Sequence, residues 1–165
     1  MGTKVGIGFD AHKFVEGRPL ILGGVEIDYP LGLAGHSDAD VLSHAIADAL
    51  LGAAGLEDIG HYFPGTDPSY ANISSLKILT KTAALVEAAG CRIGNVDAVV
   101  VAEEPLLAPY RSRMRETLAA VLDLRTAEVS IGATTSERMG FTGRGEGIAA
   151  MAVSLLECIN MKESG

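Results

Sequence analysis

Cysteine is almost missing from this chain of 165 residues: Cys91 and Cys158 are the only two, and they form no closely spaced metal-binding pair. In an intracellular setting both are expected to stay reduced. No uninterrupted apolar run reaches membrane-spanning length, so no transmembrane helix is expected. Met1-Gly2-Thr3-Lys4 leads directly into a short strand pattern, which argues against a secretory signal, and Gly6 stands where a myristoylation signal needs Ser or Thr. Basic charge is scarce too. The 13 Lys and Arg face 21 Asp and Glu, a formal net charge of −8, and nonspecific nucleic-acid binding, which depends on cations neutralising phosphates, is disfavoured. A small phosphorylated ligand stays compatible, provided metals or local amides offset its charge. No Pro/Ser-rich linker, internal repeat or low-complexity segment divides the chain, so residues 1–165 read as a single domain of a cytoplasmic enzyme. Tryptophan is absent and aromatics make up 5%, whereas 20 glycines imply many tight turns or backbone approaches to a ligand.

Against that background the metal-capable polarity of the first fifty residues gathers in two segments, Asp10-Ala11-His12 and His36-Ser37-Asp38-Ala39-Asp40-Val41-Leu42-Ser43-His44. Val5-Gly6-Ile7-Gly8-Phe9 alternates as a strand, and a period of two points Asp10 and His12 to the same side. Ser37 with Asp40 three residues on fits a helix N-terminus, before an Ala- and Leu-rich run to Gly52. His44 is then expected about two turns into that helix, with Asp40 and Asp48 four residues to either side and placed to orient its imidazole. Two nitrogens and one oxygen from Asp10, His12 and His44 make a three-ligand set suited to a catalytic zinc with an open fourth position. A histidine at a strand end is also commonly a hydrogen-bonded surface or core residue, and spacing alone does not bring the two segments together.

Leu20-Ile21-Leu22 and Val25-Glu26-Ile27 flank Gly23-Gly24, a hairpin signal. Residues 29–35 form a glycine-rich loop delivering His36 beside helix N-terminal amides, where it can meet an anionic ligand or merely pack the loop. Residues 55–68 carry too much Gly and Pro for one regular element and read as a long ordered loop. A helix is predicted from about Ser75 to Ala89, stopped by Gly90, then a buried strand from Ile93 to Ala102. A helix from about Tyr110 to Leu122 follows, on which Arg111, Arg113 and Arg115 share no single face and read as solvated surface. Val129 to Thr134 alternates as a strand whose exit, Thr134-Thr135-Ser136-Glu137, gathers three hydroxyls and a carboxylate. Residues 140–147 are too glycine-rich for an element interior and resemble a backbone-lined ligand loop, although Walker lysine and dinucleotide fingerprint are both lacking. Ile148 to Ile159 is continuously apolar; its alanines lean helical, but its length also allows a buried strand.

Seven ordered segments together resemble one family: Gly8-Phe9-Asp10-Ala11-His12, His36-Ser37-Asp38-Ala39-Asp40, residues 48–54, Asp58-Ile59-Gly60, Phe63-Pro64 with Thr66-Asp67, Gly94-Asn95-Val96-Asp97, and residues 140–148. The chain is similar, from Val5 to about Cys158, to the 2-C-methyl-D-erythritol 2,4-cyclodiphosphate synthases. The resemblance implies an α/β (α+β) domain: a mixed β-sheet with helices packed on one face and ferredoxin-like βαβ elements. It implies a homotrimer with the sheet lining the interior and active sites between subunits, and it makes the terminal apolar segment a strand. The implied activity is metal-assisted conversion of 4-diphosphocytidyl-2-C-methyl-D-erythritol 2-phosphate to the cyclic 2,4-diphosphate and CMP, in the non-mevalonate route to isoprenoids. By the same resemblance Asp10, His12 and His44 hold zinc and Glu137 contacts magnesium or manganese, while His36 and Thr135 stabilise the transition state. Substrate contacts are implied for Ser37, Asp58, Gly60, Phe63, Asp67, Ala102, Pro105, Leu106, Leu107, Ala108 and Thr134. Phe141 and Arg144 match a loop facing the three-fold axis, where an isoprenoid diphosphate has been proposed to sit.

Two positions depart from the family pattern: Gly65 where an acid is frequent, and Leu106 where many members carry Lys. Each removes one expected polar contact and leaves the zinc set untouched. Two other functions fit parts of the pattern: a zinc-dependent phosphohydrolase, distinguished by incorporation of solvent oxygen, and a non-catalytic isoprenoid diphosphate-binding trimer, distinguished by indifference to His44→Ala.

Overall fold

The structure, a computed structural model, describes residues 2–159. In chain order the elements are β1 (Gly2–Val15), β2 (Leu20–Leu22), β3 (Val25–Ile27), β4 (Gly32–Leu33), α1 (Val41–Ala54), α2 (Ile59–Tyr62), α3 (Ser75–Ala88), β5 (Cys91–Val101), α4 (Arg111–Val121), β6 (Val129–Thr134), α5 (Gly140–Gly143) and β7 (Gly147–Cys158). Five strands form a mixed sheet in the order β4-β1-β7-β5-β6, and β2 and β3 form a separate hairpin, as Gly23-Gly24 predicts. Strands β1 and β5 both run antiparallel to β7 between them, and β6 pairs parallel to β5 through α4. A split βαβ unit and a direct one thus share a single α+β domain. Among the described residues no helix is long and apolar enough to cross a membrane.

Helix α1 lies across β1 and β7, and the approach depends on two glycines. A Cβ added at Gly6 or Gly8 would stand 2.0 Å from the Ala49 carbonyl oxygen or 1.9 Å from that of Ala45, so only glycine lets the helix backbone settle on the strand. The alternation read in Val5 to Phe9 is therefore a strand whose glycines face the core. Val5, Ile7 and Phe9 point the other way and are 65%, 67% and 57% exposed, continuing into Met151 and Val153 of β7 to make an uncovered apolar face.

Several expectations are corrected. Asp40, not Ser37, caps α1; its carboxylate accepts from the Ser43 amide at 3.1 Å, which puts His44 in the first turn rather than two turns in. Asp40 also accepts from the Gly23 and Gly24 amides, at 2.9 and 2.8 Å, and from the Ser43 hydroxyl at 2.7 Å, and Asp48 accepts from the Ile59 amide at 2.9 Å, so both carboxylates have other partners and neither hydrogen-bonds His44. The 55–68 loop contains α2, and the 140–147 loop begins with α5. Residues 148–158 are strand, as the resemblance implies and against the helical lean of their alanines, because β7 is flanked on both sides by pairing partners. Arg111 and Arg115 are not merely solvated: four residues apart on α4, they donate from Nε to the Ile131 and Val129 carbonyls, each at 2.9 Å, and cover the open edge of β6. Cys91 and Cys158 are not reduced but joined in a disulfide, because the β5–β7 register sets them directly opposite each other.

Candidate active site

The two polar segments meet. Near its end β1 carries Asp10 and His12 on one face, and α1 brings His44 over them, so that Asp10 Oδ2 lies 2.8 Å from His12 Nε2 and 3.1 Å from His44 Nδ1. One ligand atom from each residue falls within 4.8 Å of the others, and all three side chains are partly buried. Oxygen and nitrogen ligands bind a divalent ion at about 2.0–2.2 Å, so donors this closely grouped fit a single cation with one face open. His12 Nδ1 sits 2.5 Å from the Ala34 carbonyl oxygen; that oxygen can only accept, so Nδ1 holds the proton and Nε2 turns to the site.

The charges agree with this grouping. Burial opposes ionisation of Asp10, but hydrogen bonds and the charges of His12 and His44 outweigh it and lower its pKa to about 2. Burial likewise opposes protonation of His12, and contact with the Asp10 carboxylate overcomes it, raising the imidazole above its usual value. A metal ion needs the neutral imidazole, so a cation bound here displaces the proton that the Asp10 carboxylate favours on His12.

The triad opens into a cleft of roughly 200 Å³ lined by His12, His36, Ser37, His44, Gly60 and Phe63, with Ile59, Tyr70, Ile73 and Ile78 as its apolar wall. Of the residues singled out in the sequence, the structure thus brings His36, Ser37, Gly60 and Phe63 to the triad. Arg18 holds their loop by donating to the carbonyls of Gly35, at 2.6 Å, and Ser37. Exposed His36 reaches the Asp67 carbonyl at 3.3 Å, while the Asp67 and Asp58 carboxylates each take a backbone amide, Ser69 and His61 respectively, and cap short helical turns. Gly65 also lines this cleft, so the departure from the family pattern falls beside His36.

The remaining candidates lie elsewhere. Ala102, Pro105, Leu106, Leu107, Thr134 and Thr135 line a second hollow that shares no residue with the first; Ala108 begins a short helical turn beyond it. Glu137 and Arg138 both take positive φ, 53° and 61°, in a tight turn after β6. That turn hangs on Glu103, whose Oε1 accepts from the Ser136 and Arg138 amides at 3.3 and 3.0 Å. Arg144 is paired with Glu146 at 3.0 Å, and Phe141 is 39% exposed. Reasoning from sequence missed Arg18 and Ser75, and gave Asp38 and Glu103 no role of their own within the segments it singled out. Ser75 reads as an ordinary helix-start serine, and no local signal reveals its long-range partners.

A family model described as the YgbB family matches residues 3–157. The 2-C-methyl-D-erythritol 2,4-cyclodiphosphate synthase of Synechococcus elongatus is 57% identical over 153 residues, 93% of this chain and 96% of that protein. The Moorella thermoacetica synthase is likewise 57% identical, over 93% of this chain and 94% of its own. Among solved structures, a CDP-bound form of a 2-C-methyl-D-erythritol 2,4-cyclodiphosphate synthase superposes with a TM-score of 0.86 at 37% identity, over 93% of this chain and all of that one. The bifunctional IspDF of Campylobacter jejuni gives 0.92 at 41%, covering 96% of this chain and 43% of the longer protein. A match running nearly end to end, onto relatives more than half identical, shows that this chain belongs to the YgbB family of 2-C-methyl-D-erythritol 2,4-cyclodiphosphate synthases.

Proposed function

We infer that this chain converts 4-diphosphocytidyl-2-C-methyl-D-erythritol 2-phosphate to the 2,4-cyclodiphosphate with release of CMP, in the non-mevalonate pathway. The observation that carries the reading is the convergence of Asp10, His12 and His44 at the floor of the His36/Ser37 cleft, in a chain of this family. An oxygen of the substrate's 2-phosphate attacks its β-phosphorus; the bond from that phosphorus to the oxygen of CMP breaks, and CMP leaves with the electron pair. No protein nucleophile is required. What the chain supplies is the bent geometry that makes attack intramolecular, shelter from water, and neutralisation of charge.

The triad fits zinc, which when bound supplies a Lewis acid for a phosphoryl oxygen. His36 and Thr135 donate hydrogen bonds to the charge that grows on phosphorus, and Ser37, Asp58, Gly60, Phe63 and Asp67 hold the erythritol phosphate. Ala102, Pro105, Leu106, Leu107, Ala108 and Thr134 cradle the cytidine, consistent with CDP-bound relatives. Glu137 would hold a second divalent ion, magnesium or manganese, which would offset charge on the substrate's diphosphate. The cytidine hollow and the zinc cleft share no lining residue within one chain, which supports the homotrimer that the family likeness implies, its subunits joining the two through the uncovered sheet face. Phe141 and Arg144 then face its axis and accept an isoprenoid diphosphate once Arg144 exchanges Glu146 for phosphate.

The test measures zinc content and CMP release for His44→Ala beside the parent protein. The variant is expected to stay folded, lose its zinc and lose turnover by at least about a thousandfold. Full activity in the variant overturns the assignment, and solvent oxygen in the product points to phosphohydrolysis instead.

A further inference from the structure

Behind His44, away from the triad, a second polar contact has no counterpart in the chemistry above. His44 Nε2 lies 2.9 Å from Ser75 Oγ, at the first residue of α3, and Ser75 is fully buried. Its hydroxyl proton is already committed: Ser75 Oγ donates to Asp38 Oδ1 in a short contact, and the Ser75 amide donates to Asp38 Oδ2 at 3.0 Å. A serine whose proton is held by a carboxylate presents a lone pair to its other neighbour, so toward His44 it can only accept.

We propose that Asp38 and Ser75 are positioning residues for the metal centre, holding His44 with its proton on Nε2 so that the Nδ1 lone pair faces the site shared with Asp10 and His12. The inference rests on the metal reading above. A carboxylate behind a metal-bound imidazole fixes the ring's tautomer and raises its basicity, and here a serine hydroxyl carries that influence over one extra step. The two histidines are locked in opposite senses, His12 through Nδ1 to the Ala34 carbonyl and His44 through Nε2 to Ser75. Ser37 Oγ also comes within 3.2 Å of His44 Nε2, while accepting from the Ala39 amide. With Nε2 carrying the proton, the Ser37 hydroxyl proton has no acceptor there and turns into the cleft, available to a bound phosphate.

Ser75→Ala keeps the amide contact to Asp38 and removes only the hydroxyl. Asp38→Ala removes the acceptor of the serine proton, which is then free to turn toward His44 and clash with Nε2–H. Each variant is expected to bind zinc about ten- to a hundredfold more weakly. Loss of two buried hydrogen bonds should also lower the melting temperature of the metal-free Ser75→Ala protein by a few degrees, whereas a merely structural role would give that loss and leave zinc affinity alone. In the zinc-loaded parent, nitrogen-15 spectra of the imidazoles should show His44 with a slowly exchanging Nε2 proton. Unchanged zinc affinity in Ser75→Ala, or coordination through Nε2, overturns the proposal while the metal reading survives. Failure of the parent protein itself to bind zinc defeats both.

Discussion

Asp10 is the residue on which the site balances, because a single carboxylate oxygen serves both His12 and His44. In the metal-free protein this has a pH signature of known sign. A carboxyl lowered from 3.8 to about 2 contributes stability that is complete above 3.8 and is withdrawn as pH falls toward 2. His12, raised above 6.5, contributes stability that is complete below 6.5 and is lost as pH rises through its folded value. Between those limits, near pH 5, metal-free Asp10→Asn should be less stable than the parent by about 1–2 kcal/mol, partial exposure trimming the effect. Denaturant titrations at several pH values check this, and the difference should shrink at both extremes. The strand alternation made Asp10 and His12 visible as a pair in the sequence. The role of Asp40 was misjudged because a carboxylate four residues from a histidine looks like its partner, until the Gly23-Gly24 turn claims it.

At the scale of elements, periodicity located the strands and helices well but not the faces they bury. Val5-Gly6-Ile7-Gly8-Phe9 reads as a strand, but its alternation does not say which face turns inward; α1 needs the glycine side, which sends the larger side chains outward. Register is equally silent in composition: nothing near Cys91 signals that it will lie opposite Cys158, 67 residues on, until β7 is placed between β1 and β5. That bond ties the entry of β5 to the exit of β7. Closing so long a loop restricts the unfolded chain by roughly 4 kcal/mol. Reducing it, or replacing both cysteines by Ala, should therefore lower the melting temperature by about 10 °C at fixed protein concentration, with little change in zinc content. Thiol titration of the unfolded, unreduced protein should find no free cysteine.

For the whole molecule, two features point the same way. Val5, Ile7, Phe9, Met151 and Val153 form a contiguous apolar surface on the sheet face that α1 leaves bare, and such patches mark contact surfaces. The triad cleft and the hollow beside Thr135 are separate within one chain. The assembly proposed above, through that sheet face, would account for both, and its geometry is testable without a structure of the assembly. If each active site takes its metal triad from one subunit and its cytidine loop with Glu137 from the next, then His44→Ala and Glu137→Ala damage different walls of the same site. Each variant alone is inactive. Unfolded together in equal amounts and refolded, they form mixed rings in which about a quarter of the sites receive an intact cleft and an intact loop, so CMP release should return to about a quarter of the parent rate. Sites built within single chains would recover nothing on mixing. Replacing Ile7 with Glu should block assembly altogether and give a monomer by sedimentation; that variant, added to either inactive partner, should restore no activity, because its own intact cleft and loop never meet a neighbour's.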